Sequence, residues 1–460
     1  MLKILQTDSI GGRLGDLLPL LALVIVLPCS AANPPSLVML YSFNDLADGG
    51  FPEAGLAMSS AGALYGTTSS SQGGYGWGSV FEMVPIKGGT FTHKTLYTFK
   101  GGVDGANPVA DLTIGGNGIL YGTTYGGGVG YGTVFELIPG SGGTWTQKVI
   151  YSFKGGSSDG AYPAAGLVLA SSGVLYGTTY AGGTKNIGTV FALAPSAGGW
   201  TETPVYSFLG GTDGANPVAD LTLSVAPGTI TLYGTTLQGG SVTIPPNTPP
   251  LCTSTTSPCV YQNWGTVFQL VQSGGVWTET ILYTFLGASD GGSPESPVII
   301  GPGGVLYGAT FWGGSTNGCP LGGYPQGCGV VYQLTPPTGT GAWTQTVLHT
   351  FTGTVPDGNH PYGRMSLNST TGQLFGTTFS GGALIDNCFT ESYPGCGTIF
   401  SMKPPATQGG SWTKSNLIVF LNNNGGGPNG GVLSKGGAIF GTTLYGGNTG
   451  GYGTVYEMKP

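Results

Sequence analysis

The sequence is 460 residues long and rich in glycine, with 90 Gly and 32 Pro, whereas only 7% of its residues are charged. A single hydrophobic core stops growing at roughly 250–300 residues, so this chain must divide into domains or stack repeated units. The net charge is −7 and the Lys and Arg residues form no cluster. This argues against nucleic acid as a partner, because phosphate binding requires basic side chains.

The first segment of the chain has the order of a secretory signal. Two basic residues, Lys3 and Arg13, precede an apolar stretch at 17–27, and small residues follow it. We therefore expect a signal peptide at 1–32 and an extracytoplasmic mature domain at 33–460 without a membrane span. That domain would be secreted, periplasmic or held at the cell surface. A membrane anchor is the alternative, although the apolar stretch is short for a span.

One pentapeptide dominates the rest of the chain. The motif Leu-Tyr-Gly-Thr-Thr or a close variant recurs seven times, at 64–68, 120–124, 175–179, 232–236, 306–310, 374–378 and 439–443. The second copy lies within a group of four short apolar runs, at 108–114, 119–125, 132–138 and 145–153. Such runs, rich in β-branched and aromatic residues and bounded by Gly, Pro, Asn or Ser, predict strands. We name them a, b, c and d in chain order.

Four strands in every repeat are typical of a β-propeller, whose blades cover one another on both faces. Strands a, b and c occur seven times, whereas strand d occurs only six times within the repeats. The seventh copy is the segment 36–43, which precedes the first repeat. We therefore predict an all-β, seven-bladed β-propeller of four-stranded antiparallel blades. The N-terminal strand closes it and removes a free sheet edge. An open β-solenoid is the alternative.

Apart from Cys29, six cysteines form three pairs, each inside an insertion between strands b and c of one repeat. An even number of cysteines in the loops of an exported chain predicts disulfides. The predicted pairs are Cys252 with Cys259, Cys319 with Cys328, and Cys388 with Cys396. A metal site is the alternative, but no histidine lies near any pair and the spacings are wider than in zinc knuckles. We expect no metal and no cofactor.

The repeated unit combines Leu-Tyr-Gly-Thr-Thr, Gly-Thr-Val-Phe-Glu-Leu, Trp-Thr, Tyr-Ser-Phe and Asp-Gly-Ala-Asn-Pro. In this order the elements resemble the bacterial GloVer tandem repeat of choice-of-anchor proteins, from about residue 36 to the end of the chain. The resemblance implies a location outside the cytoplasm and no particular activity. More loosely, the order of Gly-Gly, apolar strand and Trp-Thr is similar to kelch repeats, which concerns architecture and not function.

Three repeated features are interpreted as structural. An Asp opens the d–a connection and a Pro follows it, as with Asp104 and Pro108, which is typical of an Asx turn leading into strand a. The paired Thr of the pentapeptide and the Trp of strand d are expected to pack and hydrogen-bond between blades. A ring of Ca²⁺-binding carboxylates is the alternative for the Asp residues, although Ca²⁺ requires six to eight oxygens converging on one point.

Departures from the repeat are better functional candidates, because the scaffold does not need them. The b–c connections at 238–264, 313–327 and 380–395 are long and belong to consecutive blades. Like the d–a connections, they emerge on one face of the propeller. Their aromatic and acidic side chains are the candidate ligand-binding residues: Tyr261, Trp264, Trp312, Tyr324, Asp386, Phe389, Glu391 and Tyr393. We predict a monomeric, non-enzymatic binding or adhesion module for a glycan, a peptide or a surface protein.

Catalysis has weaker support in the sequence. The three His residues stand in no recognisable triad or metal motif, so no catalytic residue is assigned. A carbohydrate-active hydrolase or lyase that uses Asp386 and Glu391 is an alternative, because paired carboxylates can cleave glycosides. A structural envelope protein, with loops that bind nothing, is a further alternative.

Overall fold

A computed structural model describes residues 34–71, 76–240, 264–314, 319–321, 324–325, 327–383, 395–407, 409–448 and 450–459. Over these residues the chain forms seven four-stranded antiparallel sheets, each with its strands in the order a-b-c-d. The sheets are the blades of a seven-bladed β-propeller, which confirms the predicted fold. None of the helical turns in the described ranges has the length and hydrophobicity of a membrane span.

Blades 1 to 4 follow one another along the chain. In blade 1, strands a to d are Ala57–Met58, Leu64–Thr68, Ser79–Ile86 and Thr90–Thr98. In blade 2 they are Thr113–Ile114, Leu120–Thr124, Thr133–Pro139 and Trp145–Ser152. In blade 3 they are Val168–Leu169, Leu175–Thr179, Thr189–Ser196 and Gly199–Ser207. In blade 4 they are Thr222–Ala226, Thr229–Thr236, Thr266–Ser273 and Val276–Thr284.

Blades 5 to 7 complete the ring. In blade 5 the strands are Ile299–Ile300, Leu306–Thr310, Val330–Thr335 and Thr344–Thr350. In blade 6 they are Asn359–Leu367, Leu374–Ser380, Thr398–Lys403 and Thr413–Val419. In blade 7 they are Leu433–Lys435, Ala438–Thr443, Thr454–Lys459 and Ser36–Ser42. Short ladders also join Gly160–Ala161 to Ala181–Gly182 and Pro320–Leu321 to Tyr324–Pro325, and 3₁₀ turns lie at Gly102–Asp104, Gly116–Gly118, Ser141–Gly143 and Pro302–Gly304.

The first strand of the propeller closes the ring. Ser36–Ser42 pairs antiparallel with Thr454–Lys459, from Ser36 opposite Lys459 to Ser42 opposite Thr454. The edge of blade 7 is therefore covered by a strand from the other end of the domain, as the count of strands predicted.

Aromatic pairs join each blade to the next. The Phe that follows each strand d packs against an aromatic residue of strand c in the next blade, with ring centroids 5.1–5.4 Å apart. The pairs are Phe43 with Phe81, Phe99 with Phe135, Phe153 with Phe191, Phe208 with Phe268, Phe285 with Tyr332, Phe351 with Phe400, and Phe420 with Tyr456. All of these side chains are at most 2% exposed. Since aromatic pairs add to the free energy of simple burial, this belt stabilises the closed ring.

The paired Thr of the pentapeptide has two structural roles. In blades 1, 2, 4 and 7 the first Thr donates a hydrogen bond to a carbonyl of the next blade, as Thr123 does to Ala165 at 2.9 Å. In every blade except blade 5, the second Thr bonds to the Ser or Thr that begins strand c, as Thr124 does to Thr133 at 2.8 Å. Both hydroxyls are buried, so these bonds satisfy groups that would otherwise be costly to enclose.

The repeated Asp of the d–a connection is also structural. Asp104 accepts hydrogen bonds from the Tyr97 hydroxyl at 2.8 Å and from the Lys100 N–H group at 3.0 Å. Equivalent Tyr–Asp bonds follow blades 2, 3, 4 and 7. These carboxylates accept hydrogen bonds that stabilise the turns, in agreement with the Asx-turn interpretation.

Strand a is shorter than the predicted run at 108–114. Only Thr113–Ile114 pairs with strand b, because the residues before it bond to neighbouring blades instead. The carbonyl of Ala110 accepts a hydrogen bond from Thr67, and the carboxylate of Asp111 accepts one from Gly55 N–H. These residues and their equivalents surround the axis of the propeller and form the wall of a central channel.

Candidate functional site

The central channel is lined by equivalent residues from all seven blades. The first residue after the Pro that leads into strand a faces it in every blade: Glu53, Val109, Ala164, Val218, Glu295, Tyr362 and Asn429. They surround a cavity of about 360 Å³, which we name the mouth cavity. It lies at the end of the channel where the d–a connections enter.

The third residue after the same Pro forms a deeper layer, and in three alternate blades this residue is charged. Arg364 of blade 6 contacts Asp220 of blade 4, with 2.7 Å between Nη2 and Oδ2. The Arg364 Nε atom lies 4.0 Å from Oδ2 of Asp111 in blade 2. We name these three residues the channel clamp. They line both the mouth cavity and a second cavity of about 180 Å³, so the clamp divides the channel.

Glycines of two other blades complete the clamp. The N–H groups of Gly55 and Gly166 donate hydrogen bonds of 2.6 Å to Asp111 and Asp220. A Cβ atom at Gly166 would lie 2.9 Å from the Asp111 carbonyl oxygen, so only glycine permits this close approach. In blades 1 to 4, the third residue after the Pro is therefore alternately a glycine whose N–H group donates and an aspartate whose carboxylate accepts.

The channel changes the protonation equilibria of the clamp. Burial, followed by repulsion from Asp220, raises the pKa of Asp111 to about 7, against the opposing effects of Arg364 and the Gly55 N–H group. Burial also disfavours the charge on Arg364, but the two carboxylates outweigh it and raise the pKa of Arg364. The Asp111 and Arg364 side chains are 28% and 35% exposed although protein surrounds them, because they face an open channel that water can enter.

Two further acids lie in the mouth cavity. Glu295 forms a hydrogen bond with Tyr362, and burial raises the pKa of Glu295 to about 7 against the effect of that bond. Glu53 forms a hydrogen bond with Ser69, and burial raises its pKa as well. Near neutral pH Glu295 therefore exists in both protonation states. It can donate a hydrogen bond to a ligand oxygen or accept one from a hydroxyl or amino group.

Tyr362, which lines the mouth cavity, belongs to a cluster of aromatic rings from blades 5 and 6. Phe311 stacks on His360 with centroids 4.6 Å apart and meets Tyr362 edge-on at 5.9 Å. Trp312 meets His360 edge-on at 4.7 Å, and Phe379 lies 6.4 Å from Phe311. We name these five residues the aromatic wall. Burial lowers the pKa of His360 to about 3, so its ring is uncharged at neutral pH.

Of the predicted ligand-binding residues, two lie close together beside one d–a connection. Trp312, a member of the aromatic wall, exchanges backbone hydrogen bonds with Gly292, and the Trp264 carbonyl accepts a bond from Ser293 at 2.7 Å. The half-buried Trp264 ring packs against Gly287 and Gly292 of this connection.

Of the other predicted ligand-binding residues, only Tyr324 lies within the described residues. Tyr324 pairs through its backbone with Leu321. Tyr261, Asp386, Phe389, Glu391 and Tyr393 lie outside the described residues. The insertion face therefore stays a prediction.

The predicted disulfides are described in part. Cys319 and Cys328 form a disulfide, which confirms that pair. Cys396 is also disulfide-bonded, but its predicted partner Cys388 lies outside the described residues. The pair Cys252 with Cys259 and the signal peptide at 1–32 lie outside them too. In the described ranges, no group of three or more His, Cys, Asp or Glu residues is arranged to hold a metal ion.

The channel clamp and the mouth acids were missed by sequence reasoning. Their signal is a departure from the repeat at a fixed place: the third residue after the Pro is Gly, Asp, Gly, Asp, Pro, Arg and Gly in blades 1 to 7. These changed residues do not alter the length of the repeat, so they are less conspicuous in the sequence than the long insertions.

Comparison with known families gives one match that spans the chain. A family described as Gloeobacter/Verrucomicrobia repeat matches residues 31–244 and 251–460, which confirms the resemblance to GloVer repeats. No curated protein matches the chain.

Several solved structures share the propeller architecture at low similarity. An α-L-arabinofuranosidase from Fusarium graminearum is 12% identical, over 73% of this chain and 90% of that one, with a TM-score of 0.38. A Dyadobacter fermentans protein of unknown function is 11% identical, over 93% and 99%, with a TM-score of 0.40. A Trypanosoma rangeli sialidase is 9% identical, over 93% and 60%, with a TM-score of 0.41. These likenesses carry no argument about function.

Proposed function

We propose that this chain, which belongs to the Gloeobacter/Verrucomicrobia repeat family, is an extracytoplasmic, non-enzymatic binding protein that holds a saccharide in its mouth cavity. The single observation that carries the proposal is the cavity itself. Its volume of about 360 Å³ lies within the usual range of small-ligand pockets. Its lining combines a small number of polar side chains with the aromatic rings of Tyr125 and Tyr362.

The polar groups suit a ligand that both donates and accepts hydrogen bonds. Glu53 and Glu295 present carboxyl oxygens, and Asn429 presents an amide to the same space. Tyr125 lines the cavity and is 38% exposed, so its ring is available to a ligand. Sugar rings combine hydroxyl groups with apolar C–H faces, which this combination of acids and aromatic rings can contact.

The charge of the cavity restricts the class of saccharide. Four carboxyl groups line it, those of Glu53, Asp111, Asp220 and Glu295, against the single guanidinium of Arg364. That guanidinium is already bound to Asp220 and lies near Asp111. The cavity therefore favours neutral sugars and amino sugars, and it disfavours sugars that carry carboxylate, sulfate or phosphate groups.

Direct binding measurements test this proposal. A glycan array identifies a ligand, and titration calorimetry then compares the wild type with the variant Glu295→Gln. The matched control is Glu82→Gln, because Glu82 also bonds to a tyrosine, Tyr65 at 2.9 Å, but lies on strand c of blade 1 outside the channel. We expect at least a tenfold loss of affinity for Glu295→Gln and no change for the control. Equal affinities for all three proteins, or no glycan ligand at all, would refute the proposal.

A third comparison separates the mouth cavity from the insertion face. The variant Trp264→Ala changes a residue that packs against Gly287 and does not line the cavity. Affinity lost in Trp264→Ala but kept in Glu295→Gln would place the ligand on the insertions at 238–264, 313–327 and 380–395.

A hydrolase or lyase is the second candidate, and the raised pKa values favour it. Glu295 and Asp111, each with a pKa near 7, are acids that can hold a proton at neutral pH, and Asp220 lies beside Asp111. Groups of this kind are typical of general acids in carbohydrate cleavage. Product formation from a panel of polysaccharides, lost in both Glu295→Gln and Asp220→Asn, would establish catalysis. If the wild type forms no product, this candidate is rejected.

The location outside the cytoplasm is part of the proposal. The Cys319–Cys328 disulfide and the bonded Cys396 support it, because disulfides persist mainly in oxidising compartments. Fusion of residues 1–33 to a reporter that is active only after export tests it. A reporter retained inside the cell would count against it.

A further inference from the structure

Three tyrosine side chains form a continuous row that begins at the mouth cavity. Tyr125 lines the cavity, and its ring stacks on Tyr162 of the next blade, with centroids 5.2 Å apart and planes inclined by 25°. Tyr131 meets the same Tyr162 ring edge-on at 5.7 Å. We name these three residues the tyrosine row. Because Tyr131 also packs against Gly155, which follows strand d, the row leads from the cavity towards the outer part of the blades.

The tyrosine row has surface that a ligand can contact. Tyr125 and Tyr131 are 38% and 39% exposed, and Tyr162 is half-buried. Within the described part of the chain, no hydrogen bond occupies any of the three hydroxyl groups. The tyrosines of strand d differ in this respect, because five of them donate their hydroxyl protons to aspartates. The row therefore offers both apolar ring surface and unpaired hydroxyl groups to a ligand.

The backbone at Tyr162 shows that the scaffold does not need an aromatic ring there. The residue before the Pro that leads into strand a has a positive φ in every blade, between 51° and 60°. Blades 2 and 4 have Asn107 and Asn216 at this position. Asn tolerates a positive φ, and each of these side chains donates a hydrogen bond of 3.0 Å to a carbonyl of the preceding blade. A tyrosine is strained at such a φ, and strained residues concentrate at binding sites.

Two other blades have an aromatic residue at the position of Tyr162, but it packs inside the protein. His360 of blade 6 is 2% exposed and belongs to the aromatic wall. Phe51 of blade 1 is half-buried and meets Tyr445 and Tyr452 edge-on at 5.8 and 5.5 Å. An aromatic path with two exposed rings therefore leaves the mouth cavity at the interface of blades 2 and 3.

We propose that the tyrosine row binds the second and later units of an oligosaccharide whose first unit lies in the mouth cavity. This inference rests on the proposed function, because it takes the cavity as the site of the first unit. Aromatic rings contact the apolar C–H faces of sugars, and tyrosine hydroxyls exchange hydrogen bonds with sugar hydroxyls. Sugars joined by β-1,4 bonds form extended chains that present these faces on successive units. The row is therefore assigned to neutral β-1,4-linked chains of glucose or N-acetylglucosamine.

Titration calorimetry with β-1,4-linked glucose and N-acetylglucosamine oligomers of one to four units tests the proposal. The two variants are Tyr131→Ala and Tyr162→Asn, and the second retains a residue that tolerates the positive φ. The matched control is Trp77→Ala. Trp77 is exposed and occupies the position of Tyr131 in blade 1, but its carbonyl accepts the N–H group of Asn107, where Tyr131 is paired with Tyr162.

We expect the wild-type affinity for the better-bound series to rise by tenfold or more from one unit to three. Tyr131→Ala and Tyr162→Asn should lose most of this gain and bind the single sugar as the wild type does. Trp77→Ala should keep the gain. An affinity that does not depend on chain length, or a full gain in both tyrosine variants, would overturn the proposal.

The variant Glu295→Gln separates the failure of this inference from the failure of the proposed function. If it weakens binding of the single sugar while chain length has no effect, the tyrosine row is rejected and the mouth cavity remains the binding site. If oligomer binding depends on Tyr131 but not on Glu295, both the mouth cavity and the path from it are rejected. If no oligomer binds, this inference is overturned, and the glycan array alone decides on the proposed function.

Discussion

Replacement of Arg364 by methionine tests how the channel clamp contributes to stability. The variant keeps an unbranched apolar chain but removes the guanidinium that is bound to Asp220 at 2.7 Å and lies 4.0 Å from Asp111. Removing one partner of a fully buried ion pair costs about 3–5 kcal/mol, because the other charge stays buried without compensation. Here Arg364 is 35% exposed to the channel, so solvent screening reduces the expected loss to about 2–3 kcal/mol.

A loss of this size is measurable by thermal unfolding. With an unfolding entropy of roughly 2 cal/mol/K per residue over the roughly 380 residues that the structure describes, the Tm should fall by about 3–4 °C at pH 8. The fall should be smaller at pH 4. The pKa of Asp111 is raised to about 7, so Asp111 is protonated at pH 4 and only Asp220 then loses an ion-pair partner.

A triple variant separates the charge effect from lost packing. Arg364→Met combined with Asp111→Asn and Asp220→Asn removes all three charges and should recover most of the lost stability. The reasoning is refuted if Arg364→Met melts like the wild type at pH 8, or if the triple variant is no more stable than the single one.

Two further outcomes are expected from the packing between blades. Phe285→Ala, which empties a fully buried position against Tyr332, should lower the unfolding free energy by about 3–5 kcal/mol, whereas Leu286→Ala, at a side chain 57% exposed, should change it by less than about 0.5 kcal/mol. Equal effects in urea unfolding would contradict the aromatic belt. Thr123→Val leaves the Ala165 carbonyl unpaired and should cost about 1–2 kcal/mol, whereas Thr178→Val removes a buried hydroxyl that has no partner and should be neutral or stabilising. A Thr178→Val variant as unstable as Thr123→Val would show that the interblade bond is not the cause.

The blade strands were predictable because their signals are local. The predicted run at 132–138 differs by one residue at each end from strand c of blade 2, Thr133–Pro139, and the run at 145–153 differs by one residue at one end from strand d, Trp145–Ser152. Gly and Pro bound these runs, and both faces of a blade are buried, so continuous apolar runs indicate them well. The first strand was assigned to blade 7 by counting, which requires no information on packing.

The channel was not predictable in the same way. Asp111, Asp220 and Arg364 are separated by more than a hundred residues at each step, and only closure of the ring brings them together. In a strand covered on both faces, alternation does not show which side chain points to the axis. The short length of strand a was not predictable for the same reason. Its first residues bond to other blades and not to strand b, and such contacts leave no local signal in the sequence.

The location of a bound saccharide tests the central claim most directly. Crystals of the wild-type protein soaked with the glycan that binds best should show electron density in the mouth cavity, in contact with Glu295 and Tyr362. Density confined to the outer surface of the blades or to the insertions, with an empty mouth cavity, would contradict the assignment of the channel as the binding site.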